Sequence, residues 1–164
     1  MVSVVPLADP PARLSTQTTV STNAVTIVVV DSLPNVDDVY QFILQLCMLT
    51  TGVAESEIQG VDMERFSCSR LVRVTFYDAR KAARLVHMLE GDDRVSAVLD
   101  FKSGTNRSVV VPEVTSLDSL IKRFSNFGDI EKIWLNPDGS FTIDFFDSRG
   151  PLRIVDQLAT TPLT

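Results

Sequence analysis

The stretch from Val72 to Leu89 (VRVTFYDARKAARLVHML) lies over Phe141 to Leu158 (FTIDFFDSRGPLRIVDQL) without a gap. Six positions are identical: Phe76/Phe145, Asp78/Asp147, Arg80/Arg149, Arg84/Arg153, Val86/Val155 and Leu89/Leu158. A chain that repeats itself this way builds one unit twice, so the fold of a single copy decides the architecture. Backward from the match, Ile58, Val61 and Met63 align with Ile130, Ile133 and Leu135 at an offset of 72, and Val28 to Val30 align with Val109 to Val111 at an offset of 81. The changes of offset fall where loops are expected.

Both copies read as the same series of elements. A Val-rich run (Thr26 to Asp31; Ser108 to Val111) has the composition of a buried strand. Apolar residues at helical spacing follow: Val36, Val39, Tyr40, Ile43 and Cys47 in the first copy, and Leu117, Leu120, Ile121, Phe124 and Phe127 in the second. Ser116 is placed to cap the latter helix and Gly128 to stop it in a left-handed conformation. Two strands come next. In the second copy Asn136-Pro137-Asp138-Gly139 joins them as a tight hairpin turn. Asp78 then caps a helix whose apolar stripe is Ala79, Ala82, Ala83, Val86 and Leu89, and Val95 to Phe101 supplies a fourth strand.

The order strand, helix, strand, strand, helix, strand predicts an α+β chain of two ferredoxin-like (βαββαβ) sandwiches in tandem. Only six residues follow Leu158, Pro162 among them, so the second sandwich is expected to lack its fourth strand and to leave a sheet edge for a partner. The expected boundaries are 24–103 for the first domain and 104–164 for the second. Residues 1–23, with Pro6, Pro10, Pro11 and a Ser/Thr-rich stretch, read as a flexible N-terminal segment.

Composition narrows the function classes. Fifteen Lys and Arg against 21 Asp and Glu give a net charge of −6, the opposite of a basic nucleic-acid-binding surface. Two cysteines 21 residues apart and one histidine propose neither a disulfide framework nor a metal site. No Gly-rich phosphate loop and no nucleophile elbow occurs, so neither an enzyme nor a cofactor is expected. Apolar runs such as Ile27 to Val30 are too short to cross a membrane, and the chain reads as intracellular, in nucleus or cytoplasm.

Phe124-Ser125-Asn126-Phe127-Gly128-Asp129-Ile130 resembles the end of the first helix of RNA-recognition-motif (RRM) domains. Phe76-Tyr77-Asp78-Ala79-Arg80 and Phe145-Phe146-Asp147-Ser148-Arg149 resemble the junction of RRM strand three with helix two. The paired F-[YF]-D-x-R signature is similar to the first two RRMs of the Mei-two-like RNA-binding proteins. The resemblance implies single-stranded RNA as partner, post-transcriptional regulation as role, and base stacking on outward residues of strands one and three.

With Phe76 and Phe145 inward, the outward positions of strand three are Leu71, Arg73 and Thr75, and Ser140, Thr142 and Asp144; the strand-one slots are Val29 and Val110. None is aromatic, and each lost stacking platform costs about 1–3 kcal/mol. The candidate RNA contacts are Arg73, Tyr77, Trp134, Thr142, Phe146, Val29 and Leu71. Arg80, Arg84, Arg149 and Arg153 form a basic helix stripe that either solubilises the helix or meets an acidic partner. A protein–protein interaction module on a degenerate RRM scaffold is the alternative function.

Overall fold

The computed structural model describes residues 3–6, 22–30, 36–112 and 116–160. The chain divides into two compact units, one spanning Ser21–Thr105 and the other Asn106–Thr164 together with Met1–Val20.

In the first unit β2 (Ala24–Val29), α1 (Val36–Thr51), β3 (Ile58–Asp62), the short α2 (Phe66–Ser69), β4 (Leu71–Phe76), α3 (Ala79–Met88) and β5 (Val95–Leu99) follow in order. The antiparallel sheet runs β3-β4-β2-β5. Alternate residues turn inward: Val25, Ile27 and Val29 from β2 meet Val72, Val74 and Phe76 from β4, and Val39, Ile43, Leu85 and Leu89 close the core from the helices. Helix α3 starts where Asp78 accepts a hydrogen bond from the Arg80 backbone N–H. Its buried stripe is Ala79, Ala82, Leu85 and Leu89; Ala83, expected inside, is exposed, and so is Tyr40 of α1.

The second unit holds β6 (Ser108–Val111), α4 (Leu117–Phe124), β7 (Ile130–Leu135), β8 (Phe141–Phe145) and α5 (Arg149–Thr160). Ser116 caps α4, as expected. Gly128 is extended at φ 158° and ψ 171°, not left-handed as the sequence suggested. The hairpin turn closes through Gly139 N–H to the Asn136 carbonyl at 3.0 Å, with Gly139 at φ 85°. Leu135, aligned with Met63, which packs against the core of the first unit, stands exposed at the end of its strand.

Two further features depart from the sequence reading. Ser3–Pro6, expected within a flexible lead-in, form a strand, β1, parallel to β7, giving the sheet order β1-β7-β8-β6. Thr22 and Asn23, at the other end of that expected flexible segment, are buried, and Asn23 Nδ2 donates a hydrogen bond to the Phe76 carbonyl. Residues 1, 2 and 7–21 lie outside the described residues, as does Asp31 at the expected end of the first strand. The first-strand alignment also shifts. Ala24 pairs with Thr75 and Ser108 with Asp144, and the strand-three copies are 69 apart, so β2 and β6 correspond at an offset of 84, not 81. A change of three reverses which face each residue takes.

No helix among the described residues is long and apolar enough to cross a membrane.

Cys47 is buried in the core and burial pushes its thiol pKa up to about 12, whereas Cys68 is exposed. A thiol reagent at pH 8 is expected to modify Cys68 in the native chain and Cys47 only after denaturation; equal rates would contradict the packing. Because the native thiol resists ionisation, its contribution to stability falls as pH rises above the ordinary thiol value. A Cβ at Gly150 of α5 would lie 2.9 Å from Cγ of fully buried Phe145. Gly150→Ala is therefore expected to lower stability by about 1–3 kcal/mol in denaturant titration, despite the better helix propensity of alanine.

Candidate nucleic-acid interface

The sheet surface opposite the helices is the candidate interface in each unit, because strand alternation sends every second side chain there. In the first unit β2 contributes Thr26 and Val28, and β4 contributes Leu71, Arg73 and Thr75. Val29 does not belong to this surface. It is 2% exposed within the core, and Thr26 holds the slot assigned to it. The corresponding residue of the second unit, Val110, does stand outward, 65% exposed. A run of identical valines hides this parity from the sequence.

Arg73 sits between two carboxylates. Its Nε donates to Asp100 Oδ2 at 3.1 Å and its Nη1 to Asp62 Oδ2 at 3.3 Å, while Thr26 Oγ1 donates to the same Asp100 oxygen at 3.2 Å. Burial pushes the Asp100 pKa up, but hydrogen bonds from Ser103, the Lys102 backbone, Arg73 and Thr26 outweigh it and hold the carboxyl below its ordinary value. The pair therefore persists as pH falls through the ordinary carboxylate range and opens only below it. One guanidinium and two carboxylates leave this cluster with one net negative charge, which opposes phosphate. Leu71 is half-buried beside Val28 at the end of its strand.

In the second unit Trp134 points away from the core face of β7, as its parity requires, yet it is only 8% exposed. Its Nε1 donates to Asp144 Oδ2 at 2.6 Å, Ser108 Oγ donates to Asp144 Oδ1 at 2.6 Å, and Lys132 Nζ lies 5.4 Å from the indole centroid. Val5 of β1 is its strand neighbour. An indole so covered presents no free stacking platform. Thr142 is engaged by Asn136 Nδ2 at 3.0 Å. Tyr77 and Phe146 are half-buried just beyond strand three of their units, with backbone N–H groups bonded to the Glu57 and Asp129 carbonyls.

The basic stripe is partly committed to structure. Arg80 grips Asp78 through Nε–Oδ1 at 3.0 Å and Nη2–Oδ2 at 2.7 Å, and Arg149 grips Asp147 in the same way at 3.0 and 2.6 Å. Burial pushes the Asp147 pKa up, but the bonds from Arg149 and the charges of Arg149 and Arg153 bring it below its ordinary value. Arg153 Nη1 donates to the Phe127 carbonyl at 3.0 Å. Arg84 is exposed on α3.

Asp62, Asp100, Asp144 and Lys132 decide the character of these surfaces, and the sequence reading did not single them out as site residues. The outward parity of Asp144 was the one available signal. Among the described residues no group of three His, Cys, Asp or Glu side chains is placed to hold a metal ion.

No family model and no curated protein matches this sequence. Among solved structures the chain is similar to RNA recognition domains 1 and 2 of Sex-lethal from Drosophila melanogaster, at 13% identity and a TM-score of 0.34, covering 83% of this chain and 93% of that one. It is also similar to the C. elegans NONO-1 homodimer, at 12% identity and a TM-score of 0.40, covering 87% of this chain and 56% of that one. A third is the crystal structure of the N-terminal three RNA-binding domains of the yeast splicing factor Prp24, at 12% identity and a TM-score of 0.35, with 83% and 60% coverage. The fold itself is read from the strand order: the first unit is a complete ferredoxin-like sandwich, and the second has the same first five elements.

Trp134 is the chain's only tryptophan and reports directly on this cluster. Asp144→Ala leaves the indole N–H without its acceptor and is expected to cost about 1–3 kcal/mol. The emission should shift to the red and become quenchable by acrylamide; an unchanged spectrum would mean that Asp144 does not hold the ring.

Proposed function

We propose that the chain is an RNA-binding protein of post-transcriptional regulation, acting in the nucleus or cytoplasm, whose two RRM-type sheets hold single-stranded RNA weakly and without aromatic stacking. It is a binding module, not a catalyst. The observation that carries this reading is Arg73 at the centre of an open sheet surface, flanked by the hydroxyls of Thr26 and Thr75. A guanidinium there can meet a phosphate or a base edge once one of its two aspartates is displaced. That competition makes the affinity low and salt-sensitive, since the Trp134 indole is covered and the outward positions of β2, β4, β6 and β8 carry no aromatic ring.

A second reading, a protein-interaction module on the same scaffold, is favoured by what occupies the outward positions: Val28, Val98 and Val110 are exposed where a nucleic-acid surface would place aromatic or cationic groups.

Fluorescence anisotropy with a pool of random short single-stranded RNAs separates the two. Wild type is expected to bind with a Kd of about 10⁻⁵ M at low salt, weakening as salt rises. Arg73→Ala should abolish most of this binding, and Asp62→Asn should tighten it severalfold by releasing the guanidinium. Absence of saturable binding at about 10⁻⁴ M protein would sink the RNA reading and leave the protein-interaction module.

A further inference from the structure

We propose that the open edge of β6 docks an extended segment of a partner polypeptide, which joins the sheet antiparallel to β6 with apolar side chains at alternate positions and a carboxylate at its leading end. This goes beyond the RNA reading and does not depend on it.

Strand β6 pairs with β8 on one side, and among the described residues nothing pairs with its other side. Against it lies a groove of about 670 Å³ lined by Val109, Val111, Phe124, Phe127 and Ile154, with Arg123 among its polar groups. The first unit shows what such a slot accepts. There β5 lies antiparallel on β2, from Val95 opposite Val29 to Leu99 opposite Val25, and Val95, Ala97 and Leu99 join the core. The helix beside the slot records the difference. Val86 of α3 packs against the core, whereas its counterpart Val155 of α5 is 60% exposed.

The backbone of β6 is oriented for the same pairing. Phe145 N–H donates to the Arg107 carbonyl, as Phe76 N–H does to Asn23, so these carbonyls face strand three. Asp100 N–H of the fourth strand takes the next carbonyl, that of Ala24. At the offset of 84 the groups facing outward are those of Ser108 and Val110. Pro112, which has no N–H, follows them, so pairing centres on Val110.

Charge complementarity specifies the occupant. In the first unit the residue before β5, Arg94, lies over the Phe42 ring at 5.6 Å. Aligning buried Val39 and Ile43 with Leu120 and Phe124 puts Arg123 in the place of Phe42. Arg123 and its neighbour Lys122 are exposed, and no ion pair engages either among the described residues. The incoming strand therefore carries Asp or Glu where β5 carries Arg94. A second copy of β6 does not meet this requirement, because its leading residues are Asn106 and Arg107.

A fluorescent peptide with the sequence of residues 92–101 carrying Arg94→Glu serves as the probe, titrated against the whole chain. Saturable binding is expected, abolished by Val110→Pro and weakened about tenfold by Arg123→Glu. The peptide that keeps Arg94 should bind about tenfold more weakly. Val110 and Arg123 are exposed, and near-ultraviolet circular dichroism checks that both variants fold. No saturable binding, or binding that ignores both substitutions, overturns the proposal. So does slow exchange of the Val110 amide in the chain alone, which would assign the edge to this chain's own residues. A dimer lost on Val110→Pro would assign the edge to a second copy and overturn it as well.

Discussion

At the end of the third strand of each sandwich, a phenylalanine is clasped from both sides of its peptide. Phe76 N–H donates to the Asn23 carbonyl at 2.8 Å while Asn23 Nδ2 donates to the Phe76 carbonyl at 2.7 Å; in the second unit Phe145 N–H donates to Arg107 at 2.9 Å and Arg107 Nη1 returns a bond of 2.6 Å. The clasp pins the ring in the core and locks the register of the two central strands. Because side chains alternate, that single register decides every other residue's face. Phe76 and Phe145 inward place Arg73 and Thr75, Thr142 and Asp144 outward.

Different side chains perform this task in the two copies. A buried asparagine suffices in the first, while the second uses an arginine that Glu131 also holds at 2.8 Å. Ionised groups on the outward surfaces are likewise held by neighbouring side chains. Arg73 is divided between two aspartates, and Asp144 serves both Trp134 and Ser108. Such surfaces hold their shape through internal hydrogen bonds, and a nucleic acid must compete with those bonds for each contact.

The repeat, the hairpin turn, the aspartate cap of α3 and the serine cap of α4 were legible because each rests on residues adjacent in the sequence. The face of the first strand was not. Three consecutive valines, Val28 to Val30, preceded by Ile27, look the same at either parity, so an alignment slipped by three residues cost nothing in similarity and placed Val29 on the wrong side. The strand formed by Ser3–Pro6 was equally hidden. Four residues, Ser-Val-Val-Pro, are too few to show a period, and their pairing partner is β7, far along the chain.

The sequence by itself determined the periodicities and caps, hence the two α+β units, their element order and the aromatic residues that anchor them. Only the tertiary structure decided which charges are free. Asp62 and Asp100 lie 11 and 27 residues from Arg73, and no local pattern announces that they converge on it. The reason is physical: helices, turns and alternation arise from neighbours in the chain, whereas neutralisation, the covering of Trp134 and the edge of β6 that stays unpaired among the described residues depend on groups that meet only when strands pair.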